Sequence, residues 1–338
     1  MICLVLLRIK DVKRLVDEIA KGIYRMEIPI PNSPLKATNS YIIKGEKRNL
    51  LIDTGQNRSE SLEAMQSGLT ALSIDMAKTD IFLTHLHADH SGLVPSLKTE
   101  TSLLYATVPD AEIINKLLTA ESPMEYLYKA ACSNGFSQEE AMKAIQRHPA
   151  NDRGRRDPLA FSYITEGSVF TIGDYPLTCI ATPGHTKGHI CLYEANRRIL
   201  FAGDHILGDI SPNITCWDDG NPLEDFLTSL KKIARISVEL VLPGHRRVFT
   251  DCRGRIDELQ DHHQRRAAEA FDILAEGPLT GYQVAARMTW DMVYRSWEEV
   301  APAQKFFATG EALSHLRYLE NQGRIQHRLE NEKYIYFR

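Results

Sequence analysis

No stretch of this 338-residue chain is long and apolar enough to read as a membrane span. The opening run Ile2 to Leu7 is apolar but short, and Arg8 interrupts it, so it reads as neither a signal peptide nor a membrane span. An excess of one charge is missing too. Lys and Arg number 40 against 44 Asp and Glu, and the net charge of −4 gives no electrostatic footprint for nucleic acid. Cysteines are few and scattered: Cys3, Cys132, Cys179, Cys191, Cys216 and Cys252 form no C-x-x-C pair. They read as reduced thiols of a cytoplasmic protein. No repeat or low-complexity tract is visible. What remains, 43% apolar and 25% charged residues, is the composition of a soluble globular protein. The length suits one large catalytic domain and a small second one.

Against this plain background one stretch stands out. Thr84-His85-Leu86-His87-Ala88-Asp89-His90 follows the apolar run Ile81-Phe82-Leu83 and packs three imidazoles and a carboxylate together. Three later segments end in the same way after β-like runs: Thr182-Pro183-Gly184-His185, Ala202-Gly203-Asp204 and Leu242-Pro243-Gly244-His245. Imidazole and carboxylate are the ligand types that suit zinc, and also iron or manganese. In an extended segment, residues two apart point to one side, so His85 and His87 can share an ion, with His185 completing its nitrogens. A helix starting near Asp89 would turn Asp89 and His90 toward a second ion, joined there by His245. Asp204, with two carboxylate oxygens, is the natural bridge. Two ions roughly 3.5–4 Å apart can share a water, lower its pKa and clamp the attacked group. Asp89 and Asp204 are therefore the expected catalytic carboxylates, and two divalent ions, zinc first, the expected cofactors. His148 and the pair His262-His263 lack such context and read as ordinary core or surface residues.

These residues resemble the metallo-β-lactamase superfamily over about residues 24 to 250. The resemblance implies a fold: an α+β, four-layer αβ/βα sandwich with metals at one edge. It also implies that Asp53, in Leu51-Ile52-Asp53-Thr54-Gly55, orients a ligand histidine by hydrogen bonding. Residue types narrow the branch. True β-lactamases of the commonest zinc class use a cysteine and lack the histidine after the Asp, where this chain has Asp204 and His90. Flavodiiron proteins carry Glu where His87 stands, and capped nucleases need more chain than the about 40 residues from Asp204 to His245. Thr182 to His189 is similar to the glyoxalase II group, which implies a supporting role for His189. His205 reads as a residue beside the ligands rather than one of them.

The tail resembles the winged helix of the LACTB2-like group. Ala267 to Ala275 reads as a helix stopped by Gly277-Pro278, Thr280 can cap a second, and Thr309 precedes a third that ends at Gly323. Two short strands follow, about Ile325 to Leu329 and Tyr334 to Phe337. The expected domains are 1–262, catalytic, with a helical insert over about 109–163, and 263–338, the winged helix. That second part carries ten basic and ten acidic residues, so it is no basic clamp. The insert suits either a substrate lid or outer-layer packing. The expected activity is a dinuclear hydrolase acting on a small-molecule ester, thioester or lactone. The alternatives are a nuclease acting on single-stranded RNA and a persulfide dioxygenase-like enzyme with one iron. A fourth reading is a DNA-binding regulator with a vestigial site, against which the intact ligand set argues. A homodimer is compatible with the sequence.

Overall fold

Successive apolar residues in these strands point to opposite faces, and both faces are buried, which is what a sheet covered on each side requires. The computed structural model describes residues 16–119, 124–154, 156–291 and 294–338. Both Cys3 and the Ile2–Leu7 run lie outside them. One seven-stranded sheet runs in chain order: β1 (Val16–Ala20), β2 (Ile23–Pro29), β3 (Ala37–Ile43), β4 (Asn49–Ile52), β5 (Thr79–Phe82), β6 (Leu104–Thr107) and β7 (Ser162–Ile164). A five-stranded sheet holds β8 (Val169–Ile172), β9 (Tyr175–Ala181), β10 (Ile190–Glu194), β11 (Ile199–Gly203) and β12 (Leu240–Pro243).

The alternation sets the layers. Tyr41, Leu50, Ile52 and Phe82 meet Leu177, Leu192, Phe201 and Leu242 between the sheets. Their neighbours Ile42, Leu51 and Ile81 turn outward to helix α1 (Ser59–Ala71) through Met65 and Leu69. On the other side Cys191, Leu200 and Val241 meet later helices through Phe226, Leu230, Ile256 and Leu259. A shift of one residue in any of these strands would exchange its two faces, so the register is strongly specified. The result is the expected helix–sheet–sheet–helix sandwich.

Topology then places the ligand segments. Strands β4 and β5 are parallel, as are β11 and β12, and β9 runs antiparallel to β10, which runs antiparallel to β11. The loops after β4, β5, β9, β11 and β12 therefore leave carboxyl ends at one edge of the sandwich. Two short helices follow β5, α2 (Ala88–Ser91) and α3 (Val94–Leu97). The turn expected at Asp89 is made there.

The insert holds α4 (Val108–Thr119), α5 (Glu125–Ser133) and α6 (Gln138–Gln146), the last capped by the Ser137 side chain, which accepts from Glu140 N. Leu127, Ala131, Phe136, Ala141 and Ile145 form an apolar cluster with Phe306, so α5 and α6 pack against the C-terminal part of the chain. Beyond the second sheet come α7 (Pro222–Ile233), α8 (Cys252–Ile273), α9 (Gly281–Arg287) and α10 (Pro302–Asn321), then the hairpin β13 (Gln326–Glu330) and β14 (Lys333–Phe337). Thr280 caps α9 in a reciprocal box with Gln283. Asn331 and Glu332 turn the hairpin with φ of 47° and 64°, the left-handed pair a tight two-residue turn needs.

Two expected element starts are corrected. α8 begins at Cys252, not near Ala267, and it runs unbroken across the position where the sequence places the domain boundary. Its first half serves the catalytic layer through Ile256 and Leu259, and its second half serves the C-terminal core through Ala267 and Ala270. α10 begins at Pro302, and Thr309 is a fully buried interior residue rather than a cap. Proline at the first helical position was the true start signal.

Candidate metal centre

All seven predicted ligands converge at that edge. His85 Nε2 lies 3.1 Å from His87 Nδ1, and both lie with His185 in one group whose ligand atoms are mutually within 4.8 Å. Asp89, His90 and His245 form a second such group, with His90 Nε2 3.3 Å from His245 Nε2 and Asp89 Oδ2 3.3 Å from His245 Nε2. Asp204 stands between them. Its Oδ2 is 3.5 Å from His185 Nε2 and 3.3 Å from His245 Nε2, and its Oδ1 is 3.6 Å from His90 Nε2.

The outer nitrogens fix the tautomers. His90 Nδ1 is 2.8 Å from the Asp53 carboxylate, His245 Nδ1 2.8 Å from Ala37 O, and His185 Nδ1 2.9 Å from Asn213 O. Each of those partners only accepts, so each Nδ1 carries a proton and each Nε2 is the nitrogen turned inward. His85 reaches the same state through a relay: Thr84 Oγ1 donates to Asp53 at 2.7 Å and so accepts from His85 Nδ1 at 3.0 Å. Asp53 thus orients His90 directly and His85 through Thr84, while also accepting from Thr84 N at 2.8 Å. It holds this place at φ 58°, a left-handed conformation that costs a non-glycine residue free energy.

Such a set is unstable without positive charge at its centre. The Nε2 atoms of His90 and His245 face each other at 3.3 Å in side chains with no exposed surface, so they cannot both carry a proton without repulsion. His185 Nε2 and Asp204 Oδ1 are buried with no hydrogen-bond partner among the described residues. Burial would lower the His245 pKa, but the Asp204 and Asp89 carboxylates raise it well above the usual value. Burial would likewise raise that of Asp204, and the surrounding histidines hold it well below the carboxylate range. The site therefore attracts a cation, and nitrogen and carboxylate donors in this number fit divalent metal.

Backbone approach matters at Gly244. A Cβ there would fall 2.3 Å from Asp204 Oδ1 and 2.8 Å from His90 Cε1, so only glycine lets the loop after β12 pass beside the carboxylate. His189 is no ligand in this geometry: its Nε2 accepts from Asp204 N at 3.1 Å, and its Nδ1 meets Thr182 Oγ1 at 2.8 Å.

Comparison with known proteins follows the same lines. Residues 34–245 match the family described as the metallo-beta-lactamase superfamily. The chain belongs to that superfamily. It is 28% identical over 243 residues to a beta-lactamase-like protein 2 homolog of Caenorhabditis elegans, covering 72% of this chain and 67% of that one. It is 27% identical over 237 residues to an atrochrysone carboxyl ACP thioesterase of Aspergillus fumigatus, covering 70% of this chain and 59% of the relative. A metallo-beta-lactamase family protein from Thermus thermophilus superposes with a TM-score of 0.79 at 27% identity, over 95% of this chain and all of that one. The chain is accordingly a hydrolase of a superfamily that binds divalent metals.

Within this superfamily member, two supporting residues escaped the sequence reading. Buried Asp110 accepts from Leu86 N, Thr186 Oγ1 and Gly188 N, each at 2.8 Å, and so ties the His85–His90 loop to the His185 loop. Burial pushes its carboxyl up to about 6, against the pull of those donors. Buried Arg153, at the end of the insert, donates to Leu86 O and to Ser91 Oγ. No local pattern marks either one. They lie 24 and 67 residues from Leu86 and reach it only through the fold.

Proposed function

We propose that the chain is a dinuclear hydrolase of small ester, thioester or lactone substrates. The observation that carries the reading is Asp204, whose carboxylate lies within 3.3–3.6 Å of histidine nitrogens from both groups. His85, His87 and His185 would hold one ion, Asp89, His90 and His245 the other, with Asp204 shared between them. Zinc suits these donors. A metal pair bound there supplies Lewis acidity toward the attacked group and a water of lowered pKa. The protein residues do the rest. Asp53, Ala37 O and Asn213 O hold the Nδ1 atoms of His90, His245 and His185 and aim their Nε2 atoms inward. Asp89 has 19% of its side chain exposed against 0–8% for His90, His185, Asp204 and His245, and His87 is likewise only partly buried, so substrate approaches from the side of these two. A carboxylate on that side can orient a water by accepting its hydrogen bond. A small uncharged or weakly anionic acyl substrate agrees with a net charge of −4 and with likeness to a thioesterase.

Elemental analysis of freshly purified protein should give two divalent ions per chain. A panel of thioester, lactone, phosphodiester and RNA substrates should show cleavage of an acyl substrate. A single ion, unmoved by added Zn²⁺ or Mn²⁺, would remove the dinuclear reading; cleavage of RNA or phosphodiesters alone would remove the acyl one.

We further propose that residues 263–338 form a winged-helix unit that packs rather than binds DNA. Its charge is balanced, and affinity for DNA comes mainly from Lys and Arg on phosphates. The α10 helix is itself engaged: Phe306, Thr309, Glu311, Ser314 and His315 are buried, and Arg317 pairs with Glu320 at 3.3 Å. Anisotropy with labelled duplex at low salt should show no micromolar binding. Micromolar affinity that weakens steeply with salt would overturn this.

A further inference from the structure

The loop after β11 carries Asp204 and then runs to the C-terminal helix α10. Three contacts join them. Asn213 Nδ2 donates to Glu311 Oε2 at 2.8 Å, Cys216 N donates to Gly310 O at 3.0 Å, and the Gly310 Cα leaves no room for a side chain. A Cβ on Gly310 would fall 2.6 Å from Trp217 Nε1 and 2.9 Å from Thr215 Cγ2. Glycine is unfavourable inside a helix, and here it lets the loop lie directly on the helix surface. Glu311 is buried, with 8% of its surface exposed, so its contact with Asn213 is made away from bulk water. Asn213 is also the residue whose backbone carbonyl accepts from His185 Nδ1 at 2.9 Å.

We propose that Glu311 is a positioning residue of the metal centre, which reaches His185 through Asn213 although it lies on the last helix of the chain. The side chain of Asn213 is pinned by Glu311, and its carbonyl holds the imidazole in the tautomer and orientation that a metal requires. The C-terminal helix thereby completes the site. This inference rests on the reading of His185 as a ligand.

Zinc titration of the metal-free full-length chain, in competition with a chromophoric chelator, tests it without any substrate. Glu311→Ala should lower the affinity for zinc by about 10-fold or more, as loss of an outer partner of a ligand histidine does. Glu311→Gln, whose amide oxygen accepts the same hydrogen bond, should stay close to wild type. Asn213→Ala, at a half-buried loop position, should match Glu311→Ala, and the double variant should lose no more than either single one, since both break one connection. Cobalt-substituted Glu311→Ala should show an altered visible absorption band. Wild-type affinity in Glu311→Ala, a loss in Glu311→Gln equal to that in Glu311→Ala, or additive losses would overturn the proposal. Wild-type protein that takes up no zinc would instead remove the ligand reading and this inference with it.

Discussion

Asp204→Asn should abolish uptake of the second ion and lower hydrolysis of the best substrate by more than a hundredfold. Removing an outer partner of a ligand costs roughly 10–100-fold in affinity, and Asp204 faces nitrogens of both groups at 3.3–3.6 Å. Asparagine keeps the shape and one oxygen but removes the charge that balances the site. It also leaves the backbone contact with His189 intact, because that bond is made by Asp204 N. Metal content, turnover and thermal unfolding of the same preparation check the outcome. A variant holding two ions with near-normal turnover would show that the carboxylate is not shared.

Acid should destabilise the protein through its buried histidines from about pH 6.5 downward. Burial pushes His205 and His315 down to about 3, and both side chains have no exposed surface. Burial and the neighbouring His315 press His263 well below its usual value as well. In the unfolded chain these groups take up protons near pH 6.5; in the folded chain His205 and His315 do not until about pH 3. The folded pKa is depressed, so the stability they allow is complete above pH 6.5 and is lost as pH falls toward 3. Each unit of pH in that window costs on the order of 1.4 kcal/mol per group. At pH 5, His205 and His315 together remove about 4 kcal/mol, a large part of a typical total stability. Urea unfolding of metal-free protein at pH 7.5, 6 and 5 measures this. His205→Phe, which keeps a ring against Phe226, should flatten part of the slope. A midpoint that does not move between pH 7.5 and 5 would contradict the assignment.

The convergence of the seven side chains was legible because the segments that carry them obey local rules. Each ligand follows a strand whose alternation is written in the sequence, and H-x-H-x-D-H needs only one turn to face two ways. Asp53 was visible through resemblance alone; its hydrogen bonds to Thr84 and His90 depend on the pairing of β4 with β5. Asp110, Arg153 and Glu311 were not legible. Each sits in helical or irregular sequence far from the ligands and acquires its role by packing. The late start assigned to α10 has a related cause. Thr309-Gly310 looks like a boundary, and only the approach of Trp217 explains a glycine inside a helix.

The unbroken α8 carries a mechanical consequence. Units joined by a flexible linker can swing and close over a substrate, but here the junction is a rigid 22-residue rod shared by two cores. Reorienting the C-terminal part would mean breaking that rod, tearing Phe306 from the insert and separating Lys305 from Glu140, 2.7 Å away. Hinged closure is therefore foreclosed. Admission of substrate falls to the loops at the carboxyl ends of the strands, and substrate selectivity should respond to changes there rather than to changes in the joint.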